Sequence, residues 1–331
     1  MKPKFGYLLP TRERIMGGQS EAVPLLTLAE KAEEKGYDSV WVGDSLLARP
    51  RHEPLTMLAA IAARTKTIEL GTAVLLPALR NPVVLAHLAA TVDQLSEGRL
   101  ILGVGIASDL PNVRAEFEAA GIPFEKRVGR MMEGIRLCQA LWSGQAVKWN
   151  GRWNVDCDTL GIVPNRLGGP PIWGGGSARG SLERAGRHLD GWFPVGPDAE
   201  TIGTYWREVQ AIARNAGRSP EELTCAAYLT VSISDNLDNA QQRLDEYLQS
   251  YYGVPAELMK TMQACFAGPL DEAAQWLQGY VEAGASHLVL RFAGDHEQHL
   301  DMFVKLRADL GWEKNQCQKA FSVFANTLGG R

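Results

Sequence analysis

The chain alternates between two kinds of segment, and this rhythm limits its folds more than any single motif. Short apolar runs recur at KFGYLLP (4–10), SVWVGD (39–44), IELGTAVLL (68–76), LILGVGI (100–106), PIWGGG (171–176), GWFPVG (191–196), TCAAYLTVSI (224–233) and HLVLRFAG (287–294). Several are nearly continuous, as parallel strands buried on both faces should be. Between them lie segments with apolar residues at helical spacing: 23–36, 53–65, 81–98, 124–144, 178–190, 199–217, 270–284 and 295–311. Strand starts fall roughly every thirty residues, the size of a βαβ unit. Two intervals are longer. Residues 145–170 read as a short hairpin with a Pro/Gly exit, and residues 234–269 as extra helix. Eight units predict an α/β fold, a (β/α)8 TIM barrel with insertions after strand 4 and strand 7. A doubly wound sheet is the rival, but no clean dinucleotide fingerprint follows the first strand. Residues 1–312 read as one domain and 313–331 as a C-terminal tail.

Composition excludes several function classes. The formal net charge of -4 offers no basic excess for nucleic acid or an anionic membrane. The five cysteines are scattered and form no C-x-x-C, so a disulfide framework or zinc site is not expected and a reducing cytosol fits. The apolar run near the N-terminus meets Pro10 and then charges, unlike a signal peptide. No run approaches the ~18 apolar residues of a membrane span. The expectation is a cytoplasmic protein acting on a small molecule.

In such barrels the chemistry sits at the C-terminal ends of the strands. Those ends offer Asp44 and Ser45; Ala73 and Val74; Ile106, Ala107 and Ser108; Gly175, Gly176 and Ser177; Trp192; Tyr228; and Arg291. The set is poor in paired carboxylates and has no histidine cluster. His296 and His299 stand at i,i+3, but two ligands fall short of a zinc site, and a solvated first turn of the last helix is the expected reading. No metal is expected. No nucleophile elbow G-x-S-x-G stands near a strand end. A site so short of acids and bases points to a cofactor that carries the chemistry.

The stretch IWGGGSARGS (172–181) ends strand 5 and opens a helix. It is neither G-x-G-x-x-G, because Arg179 holds the last glycine's place, nor a P-loop, because Ser181 stands where lysine should be. Glycines admit close approach of a ligand, and helix N-termini favour anions. A plain strand-to-helix turn with Ser177 as N-cap accounts for it equally well.

Five segments in order, GYDSVWVGDS (36–45), IELGTAVLLPALRNPVVLAHLAATVDQLSEGRLILGVGIAS (68–108), EFEAAGIPFEKRVGRMMEGIRLCQALWSG (116–144), PPIWGGGSARGSLERAGRHLDGWF (170–193) and GPLDEAAQWLQGYVEAGASHLVL (268–290), resemble the luciferase-like monooxygenase superfamily. The resemblance covers about residues 4–310 and implies a TIM barrel with insertions. It implies reduced FMN, or the deazaflavin F-420, at the barrel mouth. The cofactor phosphate would lie on Gly175, Gly176, Ser177, Arg179 and Gly180, and a non-prolyl cis peptide at Ala73–Val74 would form a bulge behind the ring. Backbone near Ala73, Val74, Ile106, Ala107 and Ser108 would face the ring, Asp44 and Ser45 would be the catalytic candidates, and Trp192, Tyr228 and Arg291 would line the substrate side. Where many members carry a histidine after the strand 2 acid, this chain has Ser45, and after strand 4 it lacks the arginine some FMN members place there.

The resemblance favours a flavin-dependent monooxygenase using reduced FMN, supplied by a separate flavin reductase, and oxygen. An F-420-dependent hydride-transfer enzyme is the alternative, with Arg12, Arg49, Arg51 and Arg80 in mouth-side loops for its anionic tail. A non-catalytic flavin-binding protein is a third reading. The aromatics of KWNGRWN (148–154), expected to be exposed, suit a homodimer contact or a lid.

Overall fold

A computed structural model describes residues 2–312. Among the described residues eleven strands are present: β1 (Lys4–Leu8), β2 (Ser39–Val42), β3 (Glu69–Thr72), β4 (Leu100–Val104), β5 (Val147–Asn150), β6 (Asn154–Cys157), β7 (Ile172–Gly175), β8 (Gly191–Phe193), β9 (Thr224–Ile233), β10 (Ala264–Gly268) and β11 (His287–Phe292). The parallel order β11-β1-β2-β3-β4-β7-β8 closes through β8–β9 and β9–β11 into an eight-stranded barrel. Its eight strands are the eight apolar runs. Helices follow them where the 3.6-residue spacing places them, from Val23–Glu34 to His296–Asp309.

The two insertions differ from their sequence readings in one detail each. Strands β5 and β6 pair antiparallel, as a hairpin should. Its aromatics, however, are not exposed. Trp149 and Trp153 are half-buried and pack on the main core, and Arg130 stacks 4.8 Å from the Trp153 ring. The second insertion holds the helices Leu237–Tyr252 and Ala256–Lys260, and then β10, which pairs parallel with the outer half of β9. The run ACFAG is too short to show alternation, so it was legible only as the end of a helical stretch.

Two cores result. The larger lies between strands and helices. The smaller fills the barrel with Leu8, Trp41, Ile101, Trp173, Phe193, Ala226 and Val289. Three large aromatics fit there because neighbouring strands give up their side chains. A Cβ at Gly71 would stand 2.1 Å from the Trp41 ring, and one at Gly6 would stand 2.5 Å from Ser39 Oγ. The polar end of Trp41 is satisfied within the barrel: its Nε1 donates to Ser39 Oγ at 2.7 Å, and Ser39 Oγ lies 2.6 Å from His287 Nε2. Burial holds His287 neutral, its pKa pushed down to about 3. Among the described residues no helix is long and apolar enough to cross a membrane.

Candidate active site

The mouth is shaped first by backbone. Beyond β3 the Ala73–Val74 peptide is cis, and the chain then rejoins the sheet, with Leu75 N donating to Gly103 O at 2.7 Å and Gly105 N to Leu75 O at 2.9 Å. Val74 is half-buried above the barrel core. It rests on glycines: a Cβ at Gly105 would lie 2.5 Å from Val74 Cγ2, and one at Gly175 would lie 3.4 Å from Val74 Cγ1. Next to it, Ala107 holds φ 63°, a left-handed conformation rare for a residue with a side chain. Ile106 and Ala107 are half-buried and Ser108 is exposed. The result is a small apolar platform floored by the ends of β3, β4 and β7.

The glycine loop borders this platform. Gly176 holds φ +97°, and its carbonyl accepts a 2.9 Å hydrogen bond from Trp192 Nε1. Trp192 itself does not line the mouth. It is fully buried in the strand–helix layer against Tyr205, so it acts on the site only by fixing this carbonyl. The helix Arg179–His188 begins behind Ala178, with no side-chain cap. Ser177 is therefore not the N-cap, and the first-turn N–H groups lack a side-chain acceptor. Arg179 is the clearest departure from expectation. Its side chain is 76% exposed and pairs with Glu183 at 3.6 Å and Glu208 at 3.3 Å. A different cation serves the loop: Arg184 Nη2 donates to Ser181 Oγ at 2.9 Å, and Arg184 Nη1 lies 3.2 Å from where a Cβ of Gly180 would stand. A Cβ at Gly176 would meet Ser181 Oγ at 3.0 Å, so serine and arginine back the loop together. The signal for them was an R-x-x-x-x-R spacing, which puts Arg184 one turn inside the helix; only the helix start, one residue later than expected, tells which arginine turns inward.

Asp44 and Ser45 are both engaged. The Asp44 carboxylate accepts from Leu76 N at 2.8 Å and from both Arg80 Nη atoms, at 2.5 Å and 3.1 Å. Arg80 also reaches Glu53 at 3.0 Å. Ser45 Oγ donates to the buried carboxylate of Glu116 at 3.0 Å and accepts from Arg49 N at 2.9 Å. Glu116 further accepts from Leu46 N at 2.5 Å and Ala48 N at 3.2 Å. The geometry thus makes both residues anchors of the loop after β2 rather than free acid–base groups. Glu116 sits on the helix Pro111–Ala119, which is not among the helical segments read from the sequence.

Tyr228 and Arg291 do meet at the mouth, in unequal roles. Arg291 is fully buried, donating to Thr230 Oγ1, Tyr252 Oη and Gln263 Oε1 at 2.7–3.0 Å. The rings of Tyr228, Tyr247, Tyr251 and Tyr252 surround it at 4.9–5.4 Å. It is a cationic post beneath the second insertion and is closed to substrate. Tyr228 is half-buried at the top of the barrel core, and among the described residues its hydroxyl has no hydrogen-bond partner. Burial pushes its pKa well up, against the opposing pull of Arg291, so it keeps its proton at neutral pH.

The two histidines of the last helix are not a solvated turn. His296 Nδ1 lies 2.8 Å from the Tyr7 hydroxyl. His299 Nε2 accepts from Ile233 N at 3.1 Å, and burial pushes its pKa down to about 4. Among the described residues no three His, Cys, Asp or Glu side chains group as metal ligands.

Comparison with known proteins places the chain in a family and agrees with its fold. The family model described as luciferase-like monooxygenase matches residues 1–313. An F-420-dependent glucose-6-phosphate dehydrogenase of Kineococcus radiotolerans is 31% identical over 311 residues, covering 84% of this chain and 90% of the relative. Two solved structures share the fold. An F-420-dependent secondary alcohol dehydrogenase, in complex with an F-420–acetone adduct, has a TM-score of 0.78 at 22% identity, covering 92% of this chain and 98% of its own. A long-chain alkane monooxygenase has a TM-score of 0.79 at 16% identity, covering 95% and 93%. By the match along the whole described chain, the protein belongs to the luciferase-like monooxygenase family of oxidoreductase enzymes.

Proposed function

We propose that the chain transfers hydride between the deazaflavin F-420 and a small organic substrate at the barrel mouth. The observation that carries this reading is the apolar platform of Val74 on Gly105 and Gly175, bordered by an uncapped helix start. It fits a planar ring joined to a phosphate. Val74 and the backbone of Ile106–Ala107 would lie against the ring. Gly176, Ser177 and the first-turn N–H groups would take the phosphate, with Ser181 and Arg184 behind them. F-420, when bound, supplies a two-electron hydride carrier. The chain's own part is to orient and to exclude water. Asp44 and Ser45 hold the loop after β2, and Tyr228 offers a protonated hydroxyl to a substrate oxygen. The relatives named above support F-420 over FMN, because the one with the highest identity among those named uses F-420 by its description.

Reduced FMN with oxygen is the second reading. The same platform and loop would serve it, and the alkane monooxygenase shares the fold. The deciding experiment titrates the purified chain with F-420 and with FMN, then compares anaerobic turnover with F-420 against oxygen uptake with reduced FMN. Binding of F-420 and anaerobic turnover are expected. Tight FMN binding with substrate-dependent oxygen uptake would replace this reading with the second one.

A further inference from the structure

Across the mouth from the glycine loop stands a group of arginines, read from the sequence as partners of the F-420 tail, that takes no part in the glycine-loop phosphate seat. Arg12 follows β1, and Arg49 and Arg51 lie in the loop after β2, whereas the glycine loop follows β7; in the closed barrel β3 and β4 separate them on one side and β11, β9 and β8 on the other. All three guanidiniums gather on two adjoining tyrosines at the end of the helix Leu237–Tyr252. Arg12 lies 4.5 Å from the Tyr251 ring, Arg49 lies 5.2 Å from the Tyr252 ring, and Arg51 Nη2 donates to Tyr251 Oη at 3.3 Å. Arg51 reaches inward over the end of β2: a Cβ at Gly43 would stand 1.7 Å from its Nη1, so glycine is what admits it.

Three like charges held this close repel one another. Among the described residues none of the three forms an ion pair with a carboxylate. Glu13 acts on Arg51 only through space and accepts the Tyr247 hydroxyl instead. Moreover, Arg12 Nε and Nη1 are buried without any partner. A buried donor left unpaired carries its full desolvation penalty, and native proteins retain few of them without a reason. Burial, opposed in part by Tyr251, and then the neighbouring Arg49 and Arg51 draw Arg12 below the usual arginine pKa.

We infer that Arg12, Arg49 and Arg51, on the Tyr251–Tyr252 platform, form a seat for an oxyanion, a carboxylate or phosphate carried by the substrate. Substrate is the source because the seat lies on the side of the mouth opposite the glycine loop, where the phosphate of a cofactor would be held. In that assignment the inference rests on the proposed cofactor reading. The seat adds a substrate class to that reading: small molecules with an anionic group set apart from the carbon that exchanges hydride.

The test uses the purified full chain without cofactor. Inorganic phosphate is titrated by calorimetry at fixed ionic strength, with chloride as control, and the melting temperature is followed in parallel. Beside any phosphate taken by the glycine loop, which Arg184→Ala should weaken, a saturable phosphate site is expected that Arg12→Met and Arg51→Lys weaken about tenfold or more and Arg184→Ala leaves unchanged. Arg12→Met should melt no lower than the parent without phosphate, because it removes two unpaired buried donors; a purely structural arginine would lower the melt. F-420 affinity, read by fluorescence, should hardly change in either variant. Phosphate binding no tighter than chloride would overturn the seat. So would variants that lose affinity for F-420 bearing its glutamyl tail but not for the tail-less form, since the arginines would then serve the cofactor. Retained phosphate binding that depends on Arg12 and Arg51, without any F-420 binding, would support the seat and reject the cofactor reading.

Discussion

At the scale of single residues, the mouth depends on atoms that are missing. Gly105 and Gly175 let Val74 settle where side chains would otherwise stand. Gly105→Ala places a methyl 2.5 Å from Val74 Cγ2, so the valine must move. The expected outcome is a roughly tenfold loss of cofactor affinity, about 1.4 kcal/mol, with Gly105→Ala/Val74→Ala recovering most of it; equal affinity for all three proteins would remove the platform from the site. The two arginines of the glycine loop make a second contrast. Arg184→Ala should weaken a phosphate-bearing cofactor by about tenfold and leave its dephosphorylated form little changed. Arg179→Ala, acting on an exposed pair with Glu183 and Glu208, should change neither by more than about twofold. Titrating both forms against both variants checks this.

At the scale of elements, the helix Pro111–Ala119 acts through one side chain. Glu116 takes Ser45 Oγ, Leu46 N and Ala48 N, and so shapes the loop from which Arg49 and Arg51 rise. Glu116→Ala leaves a hydroxyl and two N–H groups without their acceptor. A loss of about 2–4 kcal/mol in unfolding free energy is expected. Glu116→Gln should recover part of it, because an amide oxygen still accepts. Chemical denaturation of the three proteins measures the difference, and a loss under about 0.5 kcal/mol for the alanine variant would show the loop to be held otherwise. The second insertion works in the same manner. Its Tyr247, Tyr251 and Tyr252 roof the mouth because Arg291 stands beneath them and bonds to Tyr252.

At the scale of the molecule, acid should unfold the barrel from inside. His287 and His299 are buried neutral, with pKa values near 3 and 4 in the folded chain, whereas an unfolded histidine titrates near 6.5. Below about pH 6.5 the unfolded state therefore binds more protons, and stability falls with pH by up to about 1.4 kcal/mol per unit for each histidine, until the folded groups also protonate near pH 3–4. Above about pH 7 neither contributes a slope. Melting curves from pH 4 to 8 should show this profile, and His287→Gln should be shallower between pH 4.5 and 6.5 than the parent. A parallel slope would mean that other groups carry the acid sensitivity.

The sequence by itself determined the barrel, and the reason is local. Eight apolar runs at βαβ spacing leave little choice once each must bury both faces, and the right-handed crossover orders them. It also pointed to the barrel mouth as the place to look for chemistry, because strand ends are readable from the runs. What each side chain does at those ends was decided only by tertiary structure. Asp44 and Ser45 are read as catalytic from position alone, yet their partners Arg80 and Glu116 lie 36 and 71 residues away. Arg179 and Arg184 differ in function by less than two helical turns, a distance that turns a side chain from the loop to the solvent. Arg291 looked like a substrate contact until the two helices and the strand of the second insertion closed over it. Strand-end position grouped Arg12, Arg49, Arg51 and Arg80 at the mouth, but only the structure parts Arg80, paired with Asp44, from the three that stand on Tyr251 and Tyr252. Periodicity records which face of an element is buried; partnership across the mouth is a matter of distance in space, and only the closed barrel sets it.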